Sequence, residues 1–251
     1  MHQQAKNASR PSVNERVIVA LDTSDARFDK KLVRLLKGSV KMFKVGSELF
    51  TSFGPRAIDW VHEAGARVFL DLKFHDIPNT VAQSARLAAR HGVFMFNVHA
   101  SGGLQMMQEA CIASVDEARR RNRPPPKLIG VTLLTSLSQR AVERELGIAK
   151  PVEEIVLHYA HLAAKAGLDG VVASAMEVKK LKAEFGAQFL IVTPGIRSVL
   201  AERGDHERVV TPQEAFELGS DYIVIGRPIT QARDPLEAVS RIFGELSPSN
   251  S

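Results

Sequence analysis

The sequence predicts an α/β fold, a closed (β/α)8 TIM barrel, and three observations carry that expectation. Short apolar runs rich in Val, Ile and Phe recur eight times from Arg16 onward, separated by longer stretches of helical periodicity. Those runs are almost continuously apolar, as parallel strands are when helices cover both faces. No Pro/Gly/Ser-rich linker divides the 251 residues, a length that one such barrel commonly fills. Residues 16–246 are therefore read as one domain, with loose tails over 1–15 and 247–251. A doubly wound open sheet is the other way to arrange the same units.

The first strand is expected at RVIVALD (16–22), apolar until its closing Asp, and the second at KMFKVG (41–46), which carries one lysine near its end. A helix over 48–64 leads to RVFLDLK (67–73), and a helix over 79–91 to VFMFNVHA (93–100). The helix expected over 103–120 ends in a run of arginines before three prolines, which halt it ahead of KLIGVTLL (127–134). A helix over 151–166 precedes GVVASA (170–175), and one over 176–185 precedes FLIVTPG (189–195). Thr211 followed by Pro212 suits an N-cap and first turn for a helix over 212–219. YIVIGR (222–227) is the eighth strand, and a helix over 235–245 closes the domain.

Composition excludes several function classes. Lys and Arg number 33 against 28 Asp and Glu, a net charge of +5. The densest basic run, Arg119 to Arg123, runs into Pro124–Pro126 without interleaved aromatic residues, so a nucleic-acid surface is not expected. The lone Cys111 cannot form an intrachain disulfide, which fits a reducing cytoplasm. No apolar run reaches the roughly 18 residues of a membrane span, and MHQQAKNASRPSVNE lacks the apolar centre of a signal peptide.

The polar residues gain meaning from this layout. Asp22, Lys44, Asp71, Lys73, His99, Thr135, Ser174, Arg197 and Arg227 all fall at or just beyond the C-terminal ends of expected strands. In a barrel those ends form one rim, where active sites are built. Within VFLDLKFHDIPNT (68–80), Asp71 and Lys73 lie two apart and so share a face, with Leu72 turned toward the helices. Asp76 follows on the next loop, and Lys44 can approach Asp71 from the adjacent strand. Burying such charges costs several kcal/mol each unless they are paired, and alternating signs keep one another ionised. One pair would suggest a structural ion bridge. Four charges on one rim suggest a ligand site.

No metal is expected. His75 and His99 lack the spacing of a zinc-binding helix, and the ammonium groups of Lys44 and Lys73 compete with any Mg²⁺ that Asp71 and Asp76 could hold. A phosphate site is expected on the other side of the rim, where the seventh strand runs into TPGIR (193–197) and the eighth into IGRP (225–228). Glycines admit an anion close to the backbone and arginines add forked charge, and loops after strands seven and eight are the usual phosphate site of barrels. The segment 198–210 is long enough to close over a bound phosphate.

These motifs together resemble the orotidine 5′-phosphate decarboxylase family. The resemblance runs from about Val17 to Leu236 and rests on VALD (19–22), FKVG (43–46), FLDLKFHDIPNT (69–80), NVHASGG (97–103), LLTS (133–136), GLDGVV (167–172), TPGIR (193–197) and YIVIGRPIT (222–230). It implies loss of CO2 from C6 of the orotate ring, without metal or cofactor, in a homodimer with shared sites. It assigns Lys44, Asp71 and Lys73 to one subunit and Asp76 with Thr80 to the other. It places Asp22 and Lys44 at the ribose, Thr135 and Ser136 near the pyrimidine, and Arg197, Gly226 and Arg227 at the phosphate. One position departs from it: Gly204-Asp205 is followed by His206, where the resemblance leads one to expect Gln. Histidine can still donate a hydrogen bond, with a different reach and a pH-dependent charge. Two other readings fit the residues, a Mg²⁺-dependent sugar-phosphate decarboxylase or aldolase on the same barrel, and a nucleotide-binding protein without activity.

Overall fold

A computed structural model describes residues 12–196 and 210–246. Eight strands lie among them: β1 (Val17–Leu21), β2 (Met42–Gly46), β3 (Arg67–Phe74), β4 (Met95–His99), β5 (Lys127–Val131), β6 (Gly170–Val172), β7 (Leu190–Thr193) and β8 (Tyr222–Ile225). Each pairs in parallel with its sequence neighbours, and β8 closes on β1 through Val17↔Ile223 to Val19↔Ile225. The barrel expected from the sequence is the observed architecture, and the open-sheet alternative falls.

The strands are shorter than their apolar runs. β5 stops at Val131 and β6 at Val172, three residues before the expected ends in each case. The buried Thr132 hydroxyl donates to the Val172 carbonyl at 3.0 Å, so a side-chain bond takes over where the ladder would have continued.

The helices are α1 (Val13–Arg16), α2 (Ala26–Leu36), α3 (Ser47–Phe53), α4 (Arg56–Glu63), α5 (Pro78–Arg90), α6 (Gly103–Arg120), α7 (Gln139–Arg144), α8 (Val152–Ala166), α9 (Val178–Phe185), α10 (Pro212–Leu218), α11 (Arg227–Thr230) and α12 (Pro235–Leu246). The single helix expected over 48–64 is two, because Gly54 adopts a left-handed φ of 59° and Pro55 follows it. Between β1 and β2 the sequence raised no helix, yet α2 forms there, its first turn capped by the Asp25 carboxylate accepting from the N–H groups of Arg27 and Phe28. Thr211 caps α10 as expected, and Glu214 returns the bond to the Thr211 N–H. Part of the segment read as a tail is ordered: Ser12 donates its N–H to Glu15, and Glu15 reaches Arg67 at 2.9 Å. Residues 1–11 and 247–251 lie outside the described residues.

Two apolar layers explain why the strands read as continuous. Val17, Val19, Leu21, Phe43, Val45 and their counterparts face the helices, while Ile18, Ala20, Met42, Phe69, Met95, Ile129, Val172, Val192 and Val224 fill the bore. Truncating a bore residue such as Phe69 would cost roughly 3–5 kcal/mol. Two residues further along each of the first four strands, the bore position turns polar: Asp22 after Ala20, Lys44 after Met42, Asp71 after Phe69 and Asn97 after Met95. An apolar plug therefore floors a polar cup at the C-terminal end.

Candidate active site

Four charges in that cup form an alternating chain. The Lys44 ammonium lies 2.7 Å from Asp22 Oδ1 and 3.3 Å from Asp71 Oδ2, and the Lys73 ammonium lies 2.7 Å from Asp71 Oδ1. The inner pair is enclosed, with side-chain exposures of 10% for Lys44 and 12% for Asp71, while Lys73 retains 33% and looks into the mouth. Burial alone would push the Lys44 ammonium down, but Asp71 and Asp22 on either side raise it above the ordinary lysine value. Lys44 is therefore a permanent cation that holds both carboxylates.

Gly46 makes this packing possible. A Cβ there would stand 2.8 Å from the Lys44 Nζ and 3.1 Å from Asp22 Oδ1. The glycine of FKVG thus belongs to the site, although the sequence pointed only to its lysine.

Lys73 reaches the mouth through an irregularity in β3. Between the pairs Leu70↔Phe96 and Phe74↔Val98, β3 advances four residues while β4 advances two, and Lys73 sits in this bulge with a φ of 51°. A non-glycine residue in the left-handed region costs of order 1 kcal/mol or more unless its surroundings impose it. Here the Asn97 side chain accepts the Lys73 N–H at 2.8 Å and donates to Asp71 Oδ1 at 2.6 Å. Leu72 packs against the helix layer, as the strand alternation implied. Asn97 was passed over as a candidate; an amide at a bore position directly above an apolar layer was the available signal.

The imidazoles of His75 and His99 stack obliquely, with ring centroids 5.3 Å apart. Burial, with His75 and Lys73 nearby, keeps His99 below the usual histidine value despite Asp71. Among the described residues, no group of three or more His, Cys, Asp or Glu is placed to hold a metal ion. Both oxygens of Asp71 are already engaged by ammonium groups. Ser174 is occupied locally, donating to the Glu177 carboxylate.

The other residues singled out from the sequence are placed as follows. Asp76 and Thr80 are exposed, and Asp76 forms no ion pair among the described residues, its carboxylate accepting only the neighbouring Ile77 N–H at 2.6 Å. One copy of the chain therefore does not bring Asp76 to Lys73. Ile77 between them is 66% exposed. Thr135 and Ser136 lie in an exposed turn after β5. Gly226 ends β8 beside β1, where a Cβ would stand 3.6 Å from that of Ala20 and 3.8 Å from Asp22 Oδ2, and Arg227 beside it is exposed. Gly195 takes a φ of 78°, which accounts for a glycine in TPGIR. Arg197 and His206, and residues 198–209 of the segment expected to close over phosphate, lie outside the described residues.

Comparison with known proteins bears directly on this arrangement. The model of the Orotidine 5′-phosphate decarboxylase / HUMPS family matches residues 15–242. The chain is 52% identical over 237 residues to a protein of Moorella thermoacetica named orotidine 5′-phosphate decarboxylase, covering 94% of each chain. A crystal structure of orotidine 5′-phosphate decarboxylase from Lactobacillus acidophilus superimposes with a TM-score of 0.79 at 40% identity, covering 93% of this chain and 99% of that one. The Pyrococcus horikoshii structure, at 24% identity and a TM-score of 0.71, shares the fold. With its closed barrel and the D-x-K-x-x-D strand at the mouth, the chain belongs to the orotidine 5′-phosphate decarboxylase / HUMPS family.

Proposed function

We propose that the chain converts orotidine 5′-phosphate to uridine 5′-phosphate and CO2, with Lys73 as the proton donor. The observation that carries this is the Lys73 ammonium, 2.7 Å from Asp71 and facing the mouth of the cup. As the bond between C6 and the carboxylate breaks, its electron pair stays on C6 and CO2 departs. An ammonium already aimed at that carbon stabilises the developing charge and then transfers one proton to it. Asp71 and Lys44 are in place before substrate arrives, so little reorganisation accompanies the chemistry. Asp71 is assigned to face the substrate carboxylate and to repel it in the ground state. The reaction leaves Lys73 neutral until it regains a proton from solvent.

Binding follows the rim. Asp22 and Lys44 are assigned to the ribose, Thr135 and Ser136 to the pyrimidine, and Arg197, Gly226, Arg227 and His206 to the phosphate. The closeness of Gly226 to Asp22 supports a ribose and a phosphate bound side by side. Phosphate contacts far from C6 supply binding energy that is used at the reacting carbon. Asp76 and Thr80 are assigned to the site of a second copy in a homodimer, which their exposure and that of Ile77 support. Neither a metal nor a cofactor is assigned, and the lone half-buried Cys111 fits a reducing cytoplasm. Among the described residues, no helix is long and apolar enough to cross a membrane.

Metal-stripped protein in EDTA should consume orotidine 5′-phosphate, followed by its absorbance change, and release one uridylate per substrate. Activity that requires Mg²⁺ would favour a sugar-phosphate lyase, and uridylate binding without turnover would favour a binding protein. For the dimer, two inactive variants, Lys73→Ala and Asp76→Ala, should regain activity when mixed into heterodimers. Confirmed heterodimers that stay inactive would exclude a shared site.

A further inference from the structure

We infer that Asn97 is a positioning residue for this reaction, setting both the backbone of Lys73 and the rotation of Asp71. The inference rests on Lys73 being the proton donor. Asn97 is 1% exposed, and each end of its amide has one partner: Oδ1 accepts the Lys73 N–H at 2.8 Å, and Nδ2 donates to Asp71 Oδ1 at 2.6 Å. Those partners dictate the amide orientation, because an N–H can meet only the oxygen and a carboxylate only the NH2.

The two bonds do different work. In the bulge, the Lys73 N–H turns to this side chain, so the amide replaces a strand partner and holds a left-handed φ of 51° that lysine would otherwise abandon. Relaxation of that backbone would carry the ammonium away from the mouth. The second bond ends on Asp71 Oδ1, the same oxygen that accepts the Lys73 ammonium at 2.7 Å. Asn97 therefore sets the carboxylate plane on which the ammonium rests. It touches no reacting atom in this scheme and acts through Lys73 and Asp71 alone.

Its neighbours define a specific test. Facing the amide are Asp71 and Lys73 from β3, with Lys44 from β2 and Asp22 behind them, and His99 and His75 lie close to the same charges. The Asn97→Asp variant installs a carboxyl that, while protonated, offers one O–H to Asp71 and one carbonyl oxygen to the Lys73 N–H. That is the donor and acceptor pattern of the amide. Once ionised, it repels Asp71 and loses the donor. Two carboxylates in contact hold their shared proton above the ordinary Asp range, and the nearby ammonium groups oppose this. Asn97→Ala carries no such proton.

The experiment measures kcat and KM for orotidine 5′-phosphate, and the Kd of uridylate, for wild type, Asn97→Asp and Asn97→Ala between pH 5 and pH 9. Asn97→Ala should lose about 10²-fold in kcat at every pH, the scale expected of a displacement near 1 Å, with KM and uridylate Kd changed much less. Asn97→Asp should match that loss at pH 9 and recover at least about tenfold relative to wild type as the pH falls to 5. Taking the ratio to wild type removes the pH effects that all three proteins share. A flat ratio for Asn97→Asp, or kcat within about threefold of wild type in both variants, overturns the inference. Should Asn97→Ala fail to bind uridylate, the pH ratio of Asn97→Asp decides alone. An inactive wild type would remove the functional proposal and this inference together, whereas an active wild type with a flat ratio removes this inference only.

Discussion

At the N-terminal rim of the barrel, Asp169 and Asp221 each hold a backbone N–H as well as an ammonium group; at the C-terminal rim, among the described residues, Asp22 and Asp71 hold side chains alone. Asp169, just before β6, accepts the Leu128 N–H at 2.9 Å and the Lys127 ammonium at 2.7 Å. Asp221, just before β8, accepts the Ile191 N–H at 2.7 Å and the Lys182 ammonium at 2.6 Å. Each follows by two residues a left-handed glycine, Gly167 or Gly219, that ends the preceding helix. The sequence thus uses one device twice to pin a strand start to its neighbour. At the opposite rim, Asp22, Lys44, Asp71 and Lys73 engage one another through side chains, and Lys73 keeps a strained backbone and a part-open ammonium. Similar residue types anchor strands where their bonds end on backbone, and in the proposed reaction they serve chemistry where they end on groups that a substrate can address.

The largest effect that could break this contrast is expected at Lys73. Lys73→Ala should reduce kcat/KM at least about 10⁴-fold, since it removes both a charge and a proton donor, while uridylate Kd stays within about tenfold. Parallel losses in turnover and in uridylate binding would make Lys73 a simple ligand contact. At Gly46, a substituted methyl would displace the Lys44 ammonium, so Gly46→Ala should lower kcat about 10–10²-fold in protein that remains folded. A fall in Tm without loss of turnover would place Gly46 with the structural residues.

At the other rim the expected effects reverse. Asp221→Ala leaves the Ile191 N–H and Lys182 without their carboxylate, so denaturant melts should show about 1–3 kcal/mol of lost stability, with kcat/KM within about twofold. Lost turnover in a protein of unchanged stability would show that the rims do not divide their labour.

The smallest effect concerns Asp29, near the C-terminal rim. It is 1% exposed, accepts the Thr23 hydroxyl at 3.0 Å through Oδ2, and has no hydrogen-bond partner for Oδ1. Burial, against the Thr23 bond and with Asp25 and Asp22 nearby, pushes its carboxyl up to about 6 from an ordinary value of 3.8. A folded-state value above the unfolded one stabilises the protein below pH 3.8, and this contribution disappears as the pH rises through about 6. Asp29→Asn should therefore gain stability relative to wild type between pH 4 and pH 8, by about 2 kcal/mol. A difference in Tm that does not change over this range would show that Asp29 is ionised throughout.

Much of the C-terminal rim could be read from the sequence, and nothing of the N-terminal one. Eight apolar runs without alternation require strands covered on both faces, and Asp71 and Lys73, two apart on one of them, must share a face. Thr211 and Pro212 announced α10 because a cap is a local event. Helix α2 was missed although Asp25 caps it, and the break at Gly54-Pro55 was smoothed over in favour of one periodic run. In both cases a short-range signal was present and periodicity outweighed it.

What the sequence by itself determined was therefore the order of the elements, the rim on which the charges gather, and the family that the D-x-K-x-x-D strand marks. Each follows from spacing along one chain, where a period of two or of 3.6 fixes direction. Only the tertiary structure decided which charge meets which: that Lys44 spans Asp22 and Asp71, that Gly46 leaves it room, and that Asn97 braces the bulge bearing Lys73. These are contacts between strands, set by a register shift and a closed barrel, and no pattern within a single strand encodes them.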